Sequence, residues 1–289
     1  MLRKQVKIIQ NNVVCVDSSS SSPTVAYVSP EVDTVGGVTS LGDDVFVVRY
    51  NCEEKIEVID AKNFALQRHI TVPGLGDYCM GLVACQYNNC LYASNTDKRR
   101  VHRVDLSGSN VMNWSVAGWP AGLSVNSEHN LLVVSQGVSK LQIFTTHGTL
   151  LQNIQLQADI EYPHHAVQLP NGQFLVSHTG FLHRVCLVGM DGAVVRSYGG
   201  LAGRELTQMN NPRGLAVDTH GWIYVADRDN GRLLLIDESL SSADESLGDL
   251  EGPYSLWFDQ RRRRFYIGEW YGGRMIVYDN LKEFGPSTS

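Results

Sequence analysis

Short apolar runs separated by turn residues recur along the whole chain. Residues 210–237, NNPRGLAVDTHGWIYVADRDNGRLLLID, contain three such runs, Leu215–Val217, Trp222–Ala226 and Leu233–Ile236. The segments between them are rich in Asp, Asn and Gly, which favour tight turns. The pattern predicts a three-stranded meander, and a meander of this size needs other sheets to pack against.

The same pattern occurs six times. Aligned copies place Gly37, Gly81, Gly122, His165, Gly214 and Ser255 at one position, with separations of 44, 41, 43, 49 and 41 residues. A period of roughly 40–45 residues with three or four strands per repeat is typical of propeller blades, not of helical repeats. Runs such as LLLI and LLVV are apolar on both faces, as a sheet lying between two others requires. We therefore predict an all-β fold, a six-bladed β-propeller of four-stranded antiparallel blades.

The repeat positions also predict the boundaries and the closure of the ring. We expect a tail with a serine spacer over residues 1–23, a propeller over residues 24–280 and a short tail over residues 281–289. Blades are predicted to start near residues 35, 78, 119, 162, 211 and 252. The last copy lacks a fourth strand, so an N-terminal strand, either Thr24–Val28 or Val13–Val16, is expected to close the ring and cover its open edge.

Composition narrows the function classes. The 289 residues are 43% hydrophobic, with a formal net charge of −6, which disfavours a whole-domain basic surface for DNA. No apolar run is long enough to span a membrane, and the N-terminus makes a poor signal peptide, so we expect a cytoplasmic protein. Six cysteines are too few for a disulfide framework. Cys85 and Cys90 can face each other across a hairpin, but cytosolic thiols normally stay reduced.

PRGLAVDTHGWIYVADRDNGRLLLID closely resembles the NHL repeat, with its Pro-x-Gly-Leu-Ala-Val-Asp start, its Val-Ala-Asp strand end and the Asn and Arg that follow. The chain thus looks like the NHL propeller found at the C-terminus of tripartite-motif proteins. The resemblance implies recognition of protein or RNA, with ubiquitin-ligase activity confined to an upstream RING domain. This sequence has no RING-like spacing of Cys and His. We expect Asp227 and Asn230 to bond to turn backbone and Arg232 to pair with an acidic neighbour such as Asp218.

One face of the propeller is the predicted binding face. The loops that lead into the innermost strands and the turns between second and third strands share one side of the ring, which we call the loop face. Its candidate binding residues are aromatic, basic or polar: Arg49, Tyr78, Asn95, Trp119, Tyr162, His164, His178, Arg213, Arg228, Tyr254, Trp270 and Tyr271.

These residue types can stack on peptide or bases and pair with carboxylate or phosphate. Packing between blades is the alternative interpretation for the aromatics, above all for Tyr78 and Tyr254. We expect a monomeric, non-catalytic module that binds a protein partner, with single-stranded RNA as the alternative. A role as the substrate-recognition part of a larger ubiquitin ligase also stays open.

Catalytic alternatives are weaker. Six-bladed amidating lyases hold a metal with several loop histidines, whereas here only the YPHHAV loop supplies any, and His178 is the one further candidate. Glu269 and Asn95 are poor candidates for the calcium cluster of a lactonase. We therefore predict no metal, no cofactor and no enzyme activity. The basic run Arg261–Arg264 falls on the opposite face and is interpreted as a charged turn.

Overall fold

The computed structural model describes residues 24–279, in which 24 strands form six four-stranded antiparallel sheets. The predicted all-β propeller of six four-stranded blades is confirmed. The predicted tails, residues 1–23 and 281–289, lie outside the described residues, as does the alternative closing segment Val13–Val16.

Each of the first three blades is a meander of four consecutive strands. Blade 1 consists of β2 (Val35–Leu41), β3 (Asp44–Arg49), β4 (Lys55–Asp60) and β5 (Leu66–Thr71). Blade 2 consists of β6 (Cys79–Cys85), β7 (Cys90–Asn95), β8 (Arg100–Asp105) and β9 (Val111–Ser115). Blade 3 consists of β10 (Trp119–Val125), β11 (Leu131–Gln136), β12 (Lys140–Phe144) and β13 (Leu150–Gln155).

The next two blades repeat this order, and the last takes its fourth strand from the start of the chain. Blade 4 consists of β14 (Pro163–Gln168), β15 (Phe174–His178), β16 (His183–Val188) and β17 (Val194–Gly200). Blade 5 consists of β18 (Pro212–Val217), β19 (Ile223–Asp227), β20 (Arg232–Ile236) and β21 (Ala243–Leu247). Blade 6 consists of β22 (Pro253–Asp259), β23 (Arg264–Glu269), β24 (Met275–Asp279) and β1 (Thr24–Val28).

The ring is closed by β1. Thr24 pairs with Asp279 and Val28 with Ile276 in an antiparallel ladder, and the Ser29 hydroxyl accepts a hydrogen bond from the Met275 N–H at 2.8 Å. Closure by the segment Thr24–Val28 is thus confirmed. Without it, the backbone groups along one edge of β24 would be unpaired.

Six apolar clusters hold the ring together, one at each interface between neighbouring blades. Strand β19 shows how one strand serves two interfaces. Ile223 and Val225 pack into the cluster shared with blade 4, while Tyr224 and Ala226 pack into the cluster shared with blade 6. Alternate residues of a strand face opposite sides of its sheet, which is why the strands are apolar on both faces.

The repeat glycine lies where innermost strands crowd around the channel. A Cβ atom on Gly214 would be 2.8 Å from the Tyr254 carbonyl oxygen, and one on Gly122 would be 2.5 Å from the His164 carbonyl oxygen. Both distances are too short for a side chain, so glycine lets adjacent blades approach.

The longest spacing, between blades 4 and 5, reflects a loop over residues 201–211 that Arg232 holds in place. Its Nη2 donates to the Glu205 and Gln208 carbonyl oxygens, both at 3.0 Å. Asp218, the example given for an acidic partner, does not pair with Arg232, but the expected pairing of Arg232 with acidic neighbours is confirmed. The carboxylate partners of Arg232 are Asp227 at 2.8 Å and Glu245 at 3.4 Å, because Asp227 ends the strand directly beside Arg232 in the ladder.

Asp218 instead closes the turn between the first two strands of blade 5. Its carboxylate accepts hydrogen bonds from the backbone N–H groups of His220 and Trp222. In the part of the chain that the structure describes, no helix is long and apolar enough to cross a membrane.

Candidate functional site

A β-bulge at the start of each innermost strand shapes the mouth of the channel. In every blade the register shifts there, leaving two residues out of the ladder in blades 3 and 5 and one residue in each of the other four. A bulge re-aims the side chain that it carries. The corresponding residues, which we call the mouth ring, are Gly36, Met80, Ala121, His164, Arg213 and Tyr254.

Four members of the mouth ring form a continuous chain of contacts. Arg213 Nη1 lies 2.6 Å from His164 Nδ1, and its guanidinium carbon is 5.5 Å from the centre of the Tyr254 ring. The Tyr254 hydroxyl reaches Met80 Sδ at 3.4 Å, across the position where blade 1 carries Gly36. The mouth is therefore walled by one imidazole, one guanidinium and one phenol, above a channel of about 420 Å³.

His164 is held as a neutral acceptor. Its Nδ1 faces two donors, Arg213 Nη1 and Gln136 Nε2, both at 2.6 Å, so Nε2 carries the proton and donates to Thr179 Oγ1 at 2.9 Å. Burial lowers the pKa of His164 well below its usual range, and the charge of Arg213 lowers it further. The imidazole thus orients Arg213 without adding positive charge.

Aromatic rings continue outward from the mouth ring in what we call the aromatic row. Tyr254 packs against Trp270 with ring centroids 4.8 Å apart, Trp270 against Tyr50 at 5.2 Å, and Tyr50 against Tyr78 at 5.0 Å. The Tyr254–Trp270 pair is tilted and the other two pairs are edge-to-face, and aromatic pairs of this kind add stability beyond simple area burial. The row crosses from blade 6 to blade 2, with Tyr78 and Tyr271 exposed at its margins.

Arg228 lies between two aromatic rings. Its guanidinium carbon is 4.8 Å from the Trp270 centroid and 4.9 Å from the Tyr271 centroid. The Tyr271 hydroxyl donates to Asp229 Oδ1 at 3.0 Å, which fixes the outer ring. The structure therefore brings five of the predicted residues together at blades 5 and 6: Arg213, Arg228, Tyr254, Trp270 and Tyr271.

Three other predicted residues, Arg49, Asn95 and His178, belong to a buried layer beneath the loop face. They end the second strands of their blades, as Gln136, Asp227 and Glu269 do in the other three. The Asn95 amide donates to the carbonyls of Leu75 and Asp77, and Arg49 Nη1 donates to the Asp33 carbonyl at 2.8 Å.

His178 sits in the same layer with Arg184 Nε 3.2 Å from its Nε2. Burial, and then the charge of Arg184, lower the pKa of His178 to about 4. Arg49, Asn95 and His178 therefore hold the loops in place. Any contribution that they make to binding is indirect, through the position of those loops.

The remaining predicted residues are exposed aromatics around the other half of the face. Trp119 and Tyr162 are 43% and 55% exposed, and the Arg99 guanidinium lies 6.0 Å from the Trp119 ring centre. Sequence reasoning treated Tyr254 as equivalent to Tyr78 and Tyr162. Those two precede their strands, whereas Tyr254 is the bulge residue within β22, which explains its burial.

A comparison with family models matches the NHL repeat to residues 209–234, which form most of the first three strands of blade 5. The protein is thus a six-bladed β-propeller in which blade 5 matches the NHL repeat. Among curated proteins, it is similar to protein brain tumor of Drosophila melanogaster, with 24% identity over 125 residues. That region is 42% of this chain and 12% of the Drosophila protein, so the chain matches only a small part of that relative.

Solved structures similar to this propeller are distant in sequence. Hydrazine synthase of Kuenenia stuttgartiensis is 14% identical with a TM-score of 0.64, covering 94% of this chain and 98% of that one. Virginiamycin B lyase of Staphylococcus aureus is 10% identical with a TM-score of 0.63, covering 86% and 85%. A structural-genomics protein of unknown function from Bacteroides thetaiotaomicron is 13% identical with a TM-score of 0.70, covering 90% and 72%. At these identities the likeness shows the fold alone.

The two histidines of the YPHHAV loop, His164 and His165, have different roles. His165 joins three blades, because its Nδ1 accepts from the Leu215 N–H at 3.1 Å and its Nε2 lies 3.2 Å from the Leu123 carbonyl oxygen. His164 orients Arg213, as described above. Among residues 24–279, no three His, Cys, Asp or Glu side chains are grouped in a way that would hold a metal ion.

The basic run on the opposite face is paired with carboxylates. Arg262 lies 2.5 Å from Asp43 and 3.1 Å from Asp259, and Arg264 pairs with Asp279 at 2.5 Å. These contacts support its interpretation as a charged turn. The five cysteines within the described residues are free thiols, and Cys85 lies opposite Cys90 in the hairpin as expected.

Proposed function

We propose that this NHL-repeat propeller is a non-catalytic recognition module that binds a protein partner through its loop face. The observation that carries the proposal is the exposure of large aromatic rings around the channel mouth: Tyr78, Trp119, Tyr162 and Tyr271 are 43–63% exposed. Tyr, Trp and Arg are the residues enriched at the centres of protein interfaces. Here arginines lie under and beside the rings, as such an interface needs.

Backbone strain at two of these tyrosines gives independent support. Tyr78 has φ of 63° and Tyr162 has φ of 42°, in the left-handed region that favours glycine. A residue with a Cβ costs roughly 1–2 kcal/mol in this conformation. Backbone preference disfavours tyrosine at both positions, and about half of each side chain is exposed. A role for the exposed ring accounts for tyrosine there, and strain of this kind concentrates at functional sites.

Single-stranded RNA is the second candidate, supported by the guanidinium groups stacked on Trp270, Tyr271 and Tyr254. A protein partner is favoured because the formal net charge is −6 and because affinity for RNA depends on neutralising many phosphates.

A capture experiment tests the proposal with a matched pair of tyrosines. Tyr271 is 63% exposed on the loop face, and Tyr87 is 75% exposed on the opposite face, where it stacks on His129. Wild type, Tyr271→Ala and Tyr87→Ala are used as bait, and captured material is analysed by mass spectrometry and by RNA sequencing. Tyr271→Ala is preferable to changes at Arg213 or Trp270, because those side chains are packed within the fold.

We expect wild type to capture protein partners whose binding depends only weakly on salt concentration. Tyr271→Ala should no longer capture them, and Tyr87→Ala should capture them as wild type does. Captured RNA that dissociates steeply as salt rises would replace the proposal with the RNA alternative. Loss with Tyr87→Ala and retention with Tyr271→Ala would move the binding site to the opposite face.

A further inference from the structure

Two guanidinium groups at the mouth of the channel lack a close carboxylate. Within residues 24–279, Arg213 makes no ion pair, and its Nε is buried without a hydrogen-bond acceptor. Arg228 Nε is also buried without an acceptor, and its ion pair with Asp229 has a long separation of 3.7 Å.

Other largely buried arginines of the chain are paired closely. Arg49, Arg184, Arg232 and Arg274 each lie 2.6–2.9 Å from a carboxylate oxygen. Among the largely buried arginines of residues 24–279, Arg213 and Arg228 therefore differ from these four.

Burial of a cation without a counter-ion is unfavourable, because the protein returns little of the hydration that the charge has lost. Burial lowers the pKa of Arg213, and the nearby positive charge of Arg228 acts in the same direction. His164 offers only a neutral lone pair, and the aromatic faces of Tyr254 and Trp270 supply only a weak attraction. A bound anion would supply the missing acceptor.

We infer that Arg213 and Arg228 together bind a carboxylate from an acidic segment of the protein partner, with Trp270 and Tyr271 enclosing it. This inference rests on the proposed function and adds the chemistry of the group that is recognised. Arg213 is oriented by His164 from one side, and Arg228 is held between two rings, so both are pre-positioned to donate.

The surroundings favour a carboxylate over a phosphate. Asp229 lies at the rim, 3.7 Å from Arg228 and bonded to the Tyr271 hydroxyl. This fixed negative charge opposes a dianion more strongly than a monoanion. The two guanidinium groups and the Asp229 carboxylate together carry a net charge of about +1. One carboxylate from the partner neutralises this charge.

Selection from a random seven-residue peptide library on the immobilised full chain tests the inference. We expect selected peptides to share an Asp or Glu, and a synthetic peptide with that residue changed to Asn or Gln to bind about 10- to 100-fold more weakly. The Arg228→Gln variant should bind the acidic and amide peptides with nearly equal affinity. Arg261→Gln is the matched control on the opposite face and should keep the full difference.

The peptide change needs no folding control, and circular dichroism checks the fold of each variant. If the selected peptides lack Asp and Glu but their binding is still lost with Tyr271→Ala, the inference is overturned and the proposed function remains. Peptides that bind Tyr271→Ala as well as wild type but no longer bind Tyr87→Ala would overturn both the inference and the proposed function. Tighter binding of a phosphoserine version would replace the carboxylate with a phosphate, and failure to enrich any acidic peptide over bare support would also overturn the inference.

Discussion

The ion pair between Asp227 and Arg232 is predicted to be a stabilising element and not a binding element. Both side chains are almost completely buried, and Asp227 also accepts from the Asn210 N–H at 2.6 Å and the Asn230 amide at 2.8 Å. Arg232→Met removes the cation and leaves a buried carboxylate. Breaking a buried pair from one side costs about 3–5 kcal/mol. For a domain of this size we expect the thermal midpoint to fall by roughly 6–20 °C.

A double-mutant cycle sharpens this prediction. Asp227→Asn alone leaves the buried Arg232 charge with only the partly exposed Glu245 as a partner, whereas the Asp227→Asn/Arg232→Met double variant leaves no unpaired buried charge at this site. We expect the double variant to be more stable than the sum of the two single losses predicts, by about 0.5–3 kcal/mol. Unfolding is followed by calorimetry and by urea titration. Single losses below about 1 kcal/mol, or loss of partner binding at unchanged stability, would refute the structural role.

Three further predictions concern burial, strain and closure. His102 is 1% exposed with neither ring nitrogen hydrogen-bonded, and burial, with help from Lys98 and Arg100, lowers its pKa to about 4. Because the unfolded chain takes up a proton near pH 6.5 and the folded protein does not, stability should fall as pH drops from 6.5 towards 4. His102→Leu should raise the free energy of unfolding at pH 7, and the increase should be about 2 kcal/mol larger at pH 5. Urea titration at the two pH values measures the difference, and equal increases at both would contradict the prediction. Tyr162→Gly should raise stability by about 1 kcal/mol in thermal unfolding, since it relieves left-handed strain, while weakening partner binding; a loss of stability would show that the ring packs within the fold. Deleting residues 1–28 should lower the thermal midpoint and promote aggregation in light scattering, because the edge of β24 is exposed, whereas deleting residues 1–23 keeps β1; equal behaviour of the two truncations would argue against closure by β1.

Much of the fold could be predicted because every blade repeats the same pattern of strands and turns. Turn residues and strands that are apolar on both faces can be recognised in the sequence, and the number of repeats predicts the number of blades. The choice between two closing segments was not visible. Both are short and apolar, so the residue pattern alone does not distinguish them.

The site was only partly predictable, because the β-bulges decide which side chains reach the mouth. The predicted set grouped Tyr254 with Tyr78 as residues of the loop face, but Tyr254 lies two aligned positions further along its repeat, so its ring is buried in the wall whereas Tyr78 is exposed. The close approach of Arg228 to Trp270 and Tyr271 joins two blades, and no pattern within one repeat encodes it. Met80 was missed for the same reason. Its contact with Tyr254 joins blade 2 to blade 6.

Radical footprinting of the partner-bound protein tests the central claim most directly. Tyr78, Tyr162 and Tyr271 are exposed on the loop face, and Tyr87 is exposed on the opposite face. Each can be oxidised and quantified by mass spectrometry in the free and bound protein. We predict that binding protects the three loop-face tyrosines and leaves Tyr87 as reactive as before. Protection of Tyr87 with unchanged reactivity of the other three would contradict the account.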